Sequence, residues 1–319
     1  MTDGHLVVRE ARDEADLAML VAITVAVTPD EPNSLENLRW ADATYPGATR
    51  LLAELDGRPV GAATVGRIYV LPADFDGFWA TIVVLPEARR RGVGGGLLSA
   101  VSDHARAAGK TSLHIPASEE RPDGIAFLCR RGFDEYERSK IVRLGLAGLE
   151  PPPIEPPAGV SLTTLAARPD LVEGVHAVAV EAFADIPGGD EPTAPGDLAE
   201  FIARDVERPS VPAEAFFVAV DDATDRVVGY ASLLLLPGRS DAAWHDMTAV
   251  VRAWRGRGLA LALKHATIGW AIANGLTELV TGNDVDNAPM RAINAKLGYR
   301  PTPDRLVLRG PLFDGIMDR

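Results

Sequence analysis

Val251-Arg-Ala-Trp-Arg-Gly-Arg-Gly-Leu-Ala260 has an altered copy, Leu85-Pro-Glu-Ala-Arg-Arg-Arg-Gly-Val-Gly94, in the other half of the chain. Each copy follows a short apolar run, Ala80 to Leu85 in one case and Met247 to Val251 in the other, and leads into an Ala/Leu-rich segment with helical spacing. The pattern predicts a strand, a Gly-rich turn and a helix. Successive backbone N–H groups at such a helix start, with glycines clearing room beside them, form a nest for an anion, a phosphate above all.

The copies belong to a longer repeat. Gly132 follows Gly92 by 40 residues, Gly298 follows Gly258 by 40, and the second glycines share local text, Arg131-Gly132-Phe133 and Leu297-Gly298-Tyr299. A shift of 168 matches Val60-Gly61-Ala62-Ala63 with Val228-Gly229-Tyr230-Ala231. Agreement at three separated places marks a tandem duplication. The first half reads as strand (6–10), helices (13–27 and 34–45), and a strand pair (48–55 and 60–70) joined at Asp56-Gly57, a strong hairpin signal. Strand 78–85, helix 92–108, strand 111–115 and short helix 123–131 follow, and strand 141–146 is expected to close the half. The second half replays this order and ends on strand 305–308. Between them, five prolines in Leu149-Glu-Pro-Pro-Pro-Ile-Glu-Pro-Pro-Ala158 deny both ladder donors and helix continuation. The expected organisation is a domain over 1–149, a linker over 150–159 and a domain over 160–319.

Composition narrows the classes. With 319 residues, 47% hydrophobic and 24% charged, the chain is an ordinary globular sequence long enough for two cores. No apolar stretch reaches the roughly 18 to 20 residues of a membrane span, and no basic-then-apolar leader precedes the first strand, so a cytoplasmic location is expected. The single cysteine, Cys129, excludes an internal disulfide and a Cys-based zinc cluster and reads as a small, partly buried helix residue. A net charge of −13 argues against nucleic acid and anionic membranes as partners.

With these motifs in place, the chain resembles the GCN5-related N-acetyltransferase (GNAT) superfamily. The signature Arg/Gln-x-x-Gly-x-Gly/Ala is met by Arg89-Arg-Arg-Gly92-Val-Gly94 and by Arg255-Gly-Arg-Gly258-Leu-Ala260, and the later Gly-Phe or Gly-Tyr is its second landmark. The resemblance covers nearly the whole chain and is similar to tandem, mycothiol synthase-like members. It implies an α/β (α+β) fold of two GNAT-like domains, each a mixed, mostly antiparallel sheet flanked by helices. It also implies acetyl-coenzyme A as co-substrate, with no metal. Coenzyme A binding would then fall on Val84, Arg89, Arg90, Arg91, Gly92, Val93, Gly94 and Gly95 in the first half. In the second it would fall on Val250, Val251, Arg255, Gly256, Arg257, Gly258, Leu259, Ala260, Asn283 and Asn287. A nucleotide P-loop is excluded because neither turn ends in Gly-Lys-Ser/Thr, and a dinucleotide site because no Gly-x-Gly-x-x-Gly forms.

The halves differ in chemistry. The resemblance gives the backbone N–H of Val84 or Val250 an oxyanion role. The first strand, Gly77-Phe-Trp-Ala-Thr-Ile-Val-Val-Leu85, holds no titratable group, whereas Ala243-Trp-His-Asp-Met-Thr-Ala-Val250 carries His245 and Asp246. Period-2 alternation puts Asp246, Thr248 and Val250 on one face and His245 on the other. Asp246 is the candidate base or ammonium-binding group, with a solvent-facing strand-start pair as the bland alternative; His245 alone reads as structural. Neither half keeps the family's tyrosine acid, since the matching positions hold Leu128 and Asn294. Asn287, followed by Pro289, also reads as a helix N-cap. The expected catalytic half is the second. The expected activity is acetyl transfer to an amine, on a small molecule, by a monomer or homodimer; a non-catalytic acyl-coenzyme A sensor or scaffold is the alternative.

Overall fold

The computed structural model describes residues 5–31, 33–188, 191 and 193–315. In chain order the first elements are β1 (Leu6–Glu10), α1 (Glu14–Val27), α2 (Leu35–Thr44), β2 (Thr49–Leu55), β3 (Arg58–Arg67) and β4 (Phe78–Val84). They continue with α3 (Val93–Ala107), β5 (Ser112–Ser118), α4 (Pro122–Cys129) and β6 (Asp134–Gly145). The order then repeats as β7 (Val160–Thr164), α5 (Val172–Phe183), α6 (Leu198–Phe201), β8 (Phe217–Asp221), β9 (Arg226–Leu235) and β10 (Ala242–Val250). The chain closes with α7 (Leu259–Ala273), β11 (Glu278–Asp284), α8 (Ala288–Lys296), β12 (Arg300–Pro301) and β13 (Arg305–Pro311).

Local chemistry accounts for these boundaries. Asp13 and Ser34 cap α1 and α2 through their side-chain oxygens. Leu55 pairs with Arg58 across a two-residue loop in which Asp56 and Gly57 take φ of 54° and 75°, the twist a tight hairpin needs. Cys129, the last residue of α4, is exposed rather than half-buried.

The chain divides into two compact units, 1–138 with 304–319 and 139–303. In unit 1, β1, β2, β3 and β4 form an antiparallel run, β4 pairs parallel with β5, and β5 pairs antiparallel with β13. In unit 2, β7, β8, β9 and β10 repeat the run, β10 pairs parallel with β11, and β11 pairs antiparallel with β6. The strand expected to close the first half thus closes unit 2, and the last strand of the chain closes unit 1. The proline-rich stretch lies inside unit 2 rather than at its border. Alternating apolar residues record that a strand has a buried face, not which sheet edge it joins. What selects β13 for unit 1 is its fit: Leu306 and Leu308 enter that core, and a Cβ on Gly310 would sit 2.4 Å from the Phe133 ring.

Each sheet is covered on both faces. In unit 1, α3 buries Leu97, Leu98 and Val101 against Leu51, Val65 and Leu113, while Leu20, Ile23 and Leu38 of α1 and α2 cover Leu52 and Ala62. In unit 2, Leu263 and Ile268 of α7 pack on one face, and Val175, Val178 and Ala179 of α5 on the other. Fully burying a Leu or Ile side chain is worth about 1.5–3 kcal/mol, so these layers hold the turns between strand and helix in place. Among the described residues, no helix is long and apolar enough to cross a membrane.

Candidate active site

The two Gly-rich turns have the same backbone. Gly256 and Gly258 take φ of 73° and 87°, and Arg90 and Gly92 take 62° and 82°. The first bond of α7 runs from Ala262 N–H to the Gly258 carbonyl at 3.1 Å, and that of α3 from Gly96 to Gly92 at 3.0 Å. The N–H groups of Leu259, Ala260 and Leu261, and of Val93, Gly94 and Gly95, therefore have no acceptor within their helices, and no side chain caps either start. A Cβ at Gly92 or Gly258 would meet nothing within 4 Å. The left-handed angle demands glycine there, and the space above each turn is open.

The signature arginines brace strands. Arg255 donates through Nε to the Val250 carbonyl at 2.9 Å, and Arg89 does the same to Val84 at 3.2 Å. Arg255 also pairs with Asp185 at 2.7 Å, and Arg252 and Arg255 together hold that carboxyl down at about 2. Arg257 lies over the Trp254 ring at 4.7 Å, while exposed Arg90 and Arg91 approach Asp123 and Asp56 at 4.0 and 3.7 Å.

Before each turn, neighbouring strands part. β4 pairs with β5 only at Phe78–Leu113 and Trp79–His114, and β10 pairs with β11 only from Ala242–Glu278 to Trp244–Val280. Past those pairs, one edge of each strand has lost its ladder. Val251 N–H donates to the Val228 carbonyl of β9 at 3.0 Å, so alternation turns the Val250 N–H toward the parted edge. Leu85, donating to Val60 at 2.9 Å, orients Val84 likewise.

Here the units diverge. The β3–β4 register runs unbroken from Gly61–Val84 to Arg67–Phe78. The β9–β10 register shifts: His245 faces Leu233 and Thr248 faces Ala231, so Asp246 and Met247 together oppose Ser232. This is a β-bulge, one extra residue in one strand. Four residues lie between Trp79 and Val84, whereas five lie between Trp244 and Val250. The bulge corrects the alternation read from sequence. His245, Thr248 and Val250 share the α7 face, and Asp246 and Met247 turn to the α5 face, where Met247 joins the α5 core cluster.

Asp246 is half-buried. Burial pushes its carboxyl up to about 6, nearby Asp205 pushes the same way, and Arg208 and Arg204 oppose. Asp205 and Arg204 lie in a π-helical turn, Ile202–Val206, where Arg204 Nη2 reaches Asp205 at 2.6 Å and the Pro195 carbonyl at 2.9 Å. A carboxylate with a pKa near 6 is ionised at neutral pH yet basic enough to take a proton from an ammonium or attacking amine.

On the opposite face, His245 is wholly buried. Its Nδ1 lies 3.0 Å from Tyr299 Oη and its Nε2 3.1 Å from Thr267 Oγ1. Thr267 donates its one proton to the Lys264 carbonyl at 2.9 Å, so it accepts from Nε2–H, and Tyr299 donates to Nδ1. The His245 carbonyl accepts from Thr281 Oγ1 at 2.9 Å, just where the β10–β11 ladder stops. Burial, then Lys264, pushes His245 well below its ordinary pKa, and burial pushes Lys264 down to about 7.

Asn287 caps α8, accepting from Met290 N–H at 3.3 Å. Asn283 accepts at 2.6 Å from the amide of Asn294, which is buried with an unpartnered side-chain oxygen. Sequence reasoning missed the bulge, Asp205 and the partners of His245. The one available signal was the extra residue between tryptophan and valine in the second repeat.

The comparisons agree with this geometry. The model of the acetyltransferase (GNAT) family matches twice, at residues 17–133 and 179–299. The mycothiol acetyltransferase of Clavibacter michiganensis is 31% identical over 270 residues, 83% of this chain and 81% of that protein. That of Catenulispora acidiphila is 27% identical, covering 76% and 75%. Among solved structures, a tandem GNAT protein from the clavulanic acid biosynthesis pathway superposes with a TM-score of 0.78 at 21% identity, over 97% of this chain and 99% of that one. The GNAT protein of Sphaerobacter thermophilus gives 0.73 at 19%, over 98% and 97%.

Two strand–turn–helix units of this kind define an acyltransferase, and the chain belongs to the GNAT acetyltransferase family. It is a tandem member, an acetyl-coenzyme A-dependent enzyme that transfers the acetyl group to an amine.

Proposed function

We propose that unit 2 carries the reaction and that the acceptor is an amine on a small molecule, of the kind on which mycothiol acetyltransferases act. The observation that supports this most is the bulge: it sets Asp246 beside the parted edge of β10, four residues before the Val250 N–H. In this reading Leu259 and Ala260, with the glycines 256 and 258, hold the pyrophosphate through their N–H groups, and Arg257 adds positive charge. Val250 and Val251 border the slot for the pantetheine arm, Arg255 keeps that border in place, and Asn283 and Asn287 flank its far side. Acetyl-coenzyme A, when bound, supplies the acyl group. The chain's part is to donate the Val250 N–H toward the thioester carbonyl and to take the amine's proton on Asp246. Asn294 replaces the tyrosine acid, so the thiolate leaves with a proton from water.

In unit 1, Val84, the arginines 89 to 91, Gly92, Val93, Gly94 and Gly95 form a second nest that holds coenzyme A without turnover. The protein works without a metal, in the cytoplasm, as a monomer or homodimer. The test is thiol release from acetyl-coenzyme A across a panel of small amines, with calorimetry counting bound coenzyme A per chain. Turnover that Asp246→Asn removes while coenzyme A binding persists supports the reading. Full turnover in that variant removes Asp246 from it, and turnover only on peptides overturns the acceptor class.

A further inference from the structure

The bulge in β10 raises a question of register. One extra residue in a strand can be accommodated at several neighbouring positions, and each slip exchanges the faces of the residues it passes. A bulge one step earlier would carry Asp246 toward α7 and draw His245 itself into the bulge, and a second step would carry His245 to the α5 face. Something must hold it between His245 and Thr248.

His245 is the residue immediately before the bulge, and it is fixed at three points. Tyr299 holds Nδ1, Thr267 holds Nε2 and Thr281 holds the carbonyl, all of them buried. Leaving a slipped register's buried donors and acceptors unmet costs about 1–3 kcal/mol per group, which penalises every placement that draws His245 into the bulge or past it.

Unit 1 is an internal control. Matching the strand pairs and the two glycine landmarks, the positions of His245, Thr267, Thr281 and Tyr299 are occupied by Ala80, Val101, Ile115 and Phe133. All four are apolar and buried, at 0, 0, 3 and 1% exposure, and β4 has no bulge. The polar set and the bulge occur together in one unit and are both missing from the other.

We infer that His245 is a positioning residue, and that its clamp by Tyr299, Thr267 and Thr281 fixes the bulge that presents Asp246 to the acceptor. This rests on the proposed role of Asp246. The imidazole itself touches no reacting atom and stays neutral in its buried site. The same principle operates when a single buried polar residue sets the register of a packed element.

The test compares Tyr299→Phe and Thr281→Val with wild type, alone and combined with Asp246→Asn. Tyr299→Phe keeps the ring that Phe133 supplies in unit 1, so the fold is retained, as thermal melting checks. The expected result for each is a kcat lowered about tenfold with KM for acetyl-coenzyme A within about twofold of wild type, the mark of lost orientation rather than lost binding. In the Asp246→Asn background the same changes should add nothing, because the group they position is gone. Wild-type kcat in both single variants overturns the clamp, as does a loss that multiplies fully onto Asp246→Asn. If Asp246→Asn is itself fully active, the role of Asp246 fails first and the clamp falls with it. If Tyr299→Phe lowers kcat and raises KM together while melting early, the cluster is structural and the inference is wrong.

Discussion

Units 1 and 2 share a turn, a helix start and a parted strand pair, yet they are built around different strands. β4 is regular and carries no titratable side chain through its parting. β10 carries one more residue, and that residue turns a carboxylate out of the ladder on one face while a buried histidine anchors the other. In the proposed reading, binding and chemistry have separated. The parts that suit a phosphate and a thioester are backbone groups, so they survive in both copies under different side chains. A proton acceptor needs a side chain in one place, and of the two parted strands only β10 carries a carboxylate there.

The comparison breaks most readily at the turns. Gly258→Val is expected to cost roughly a hundredfold or more in kcat/KM, because the left-handed angle at the helix start is lost together with its N–H donors. Gly92→Val should leave turnover within about twofold and lower only the number of coenzyme A molecules bound, read by calorimetry. Equal loss from both would make the units functionally equivalent.

Next in size is Asp246→Asn. The kcat should fall about 10²- to 10⁴-fold. Stability should move the other way. A raised carboxyl pKa means that the folded state prefers the neutral form, so ionisation between pH 4 and 6 lowers stability, and the amide avoids that cost. The variant should melt higher at pH 7, by about 1–2 kcal/mol once the side chain's partial exposure is allowed for.

The pH profile follows from the same group. kcat/KM should decline as pH falls through about 6, where Asp246 takes up its proton. This acid limb should be missing from the residual rate of the Asp246→Asn variant, and a limb that persists there would belong to another group.

The smallest effect sharpens the contrast in packing. Lys264 is buried where unit 1 has Leu98, also buried. Its amine is pushed down to about 7, so between pH 10 and 7 the folded state keeps it neutral while the unfolded chain takes up a proton, and stability falls as pH drops across that range, after which the cost is constant. Lys264→Met should therefore raise the melting temperature at pH 7 by a few degrees, about 1 kcal/mol or somewhat more. The gain should shrink as pH rises toward 10, and a gain independent of pH would point to packing alone.

Much of the molecule was legible beforehand, for reasons that can be named. Gly92 and Gly258 announce themselves because their backbone angle tolerates little else, and Asp56-Gly57 because a two-residue hairpin needs positive φ twice. These are local constraints, written where they act. The bulge is also local, but a run such as His245-Asp-Met-Thr248 reads equally well as plain alternation. Only aligning the copies shows the extra residue, and only contacts from Thr267, Thr281 and Tyr299, far along the chain, decide where it sits. The pairing of β6 and β13 was illegible for another reason: both are alternating strands of similar character, and nothing in such a pattern names a partner.

That exchange of closing strands has a consequence for how the gene can change. Unit 1 takes its closing strand from beyond unit 2 in the sequence, and Arg138, the last residue of its first segment, bonds Asp304, the first residue of its second, at 2.9 Å. A cut at the proline-rich stretch leaves each product with a strand that belongs to the other. A premature stop before Asp304 spares the Asp246 unit's own residues and leaves β5 of the other with a bare edge. The two copies, free to drift apart in chemistry, are bound to be inherited as one piece.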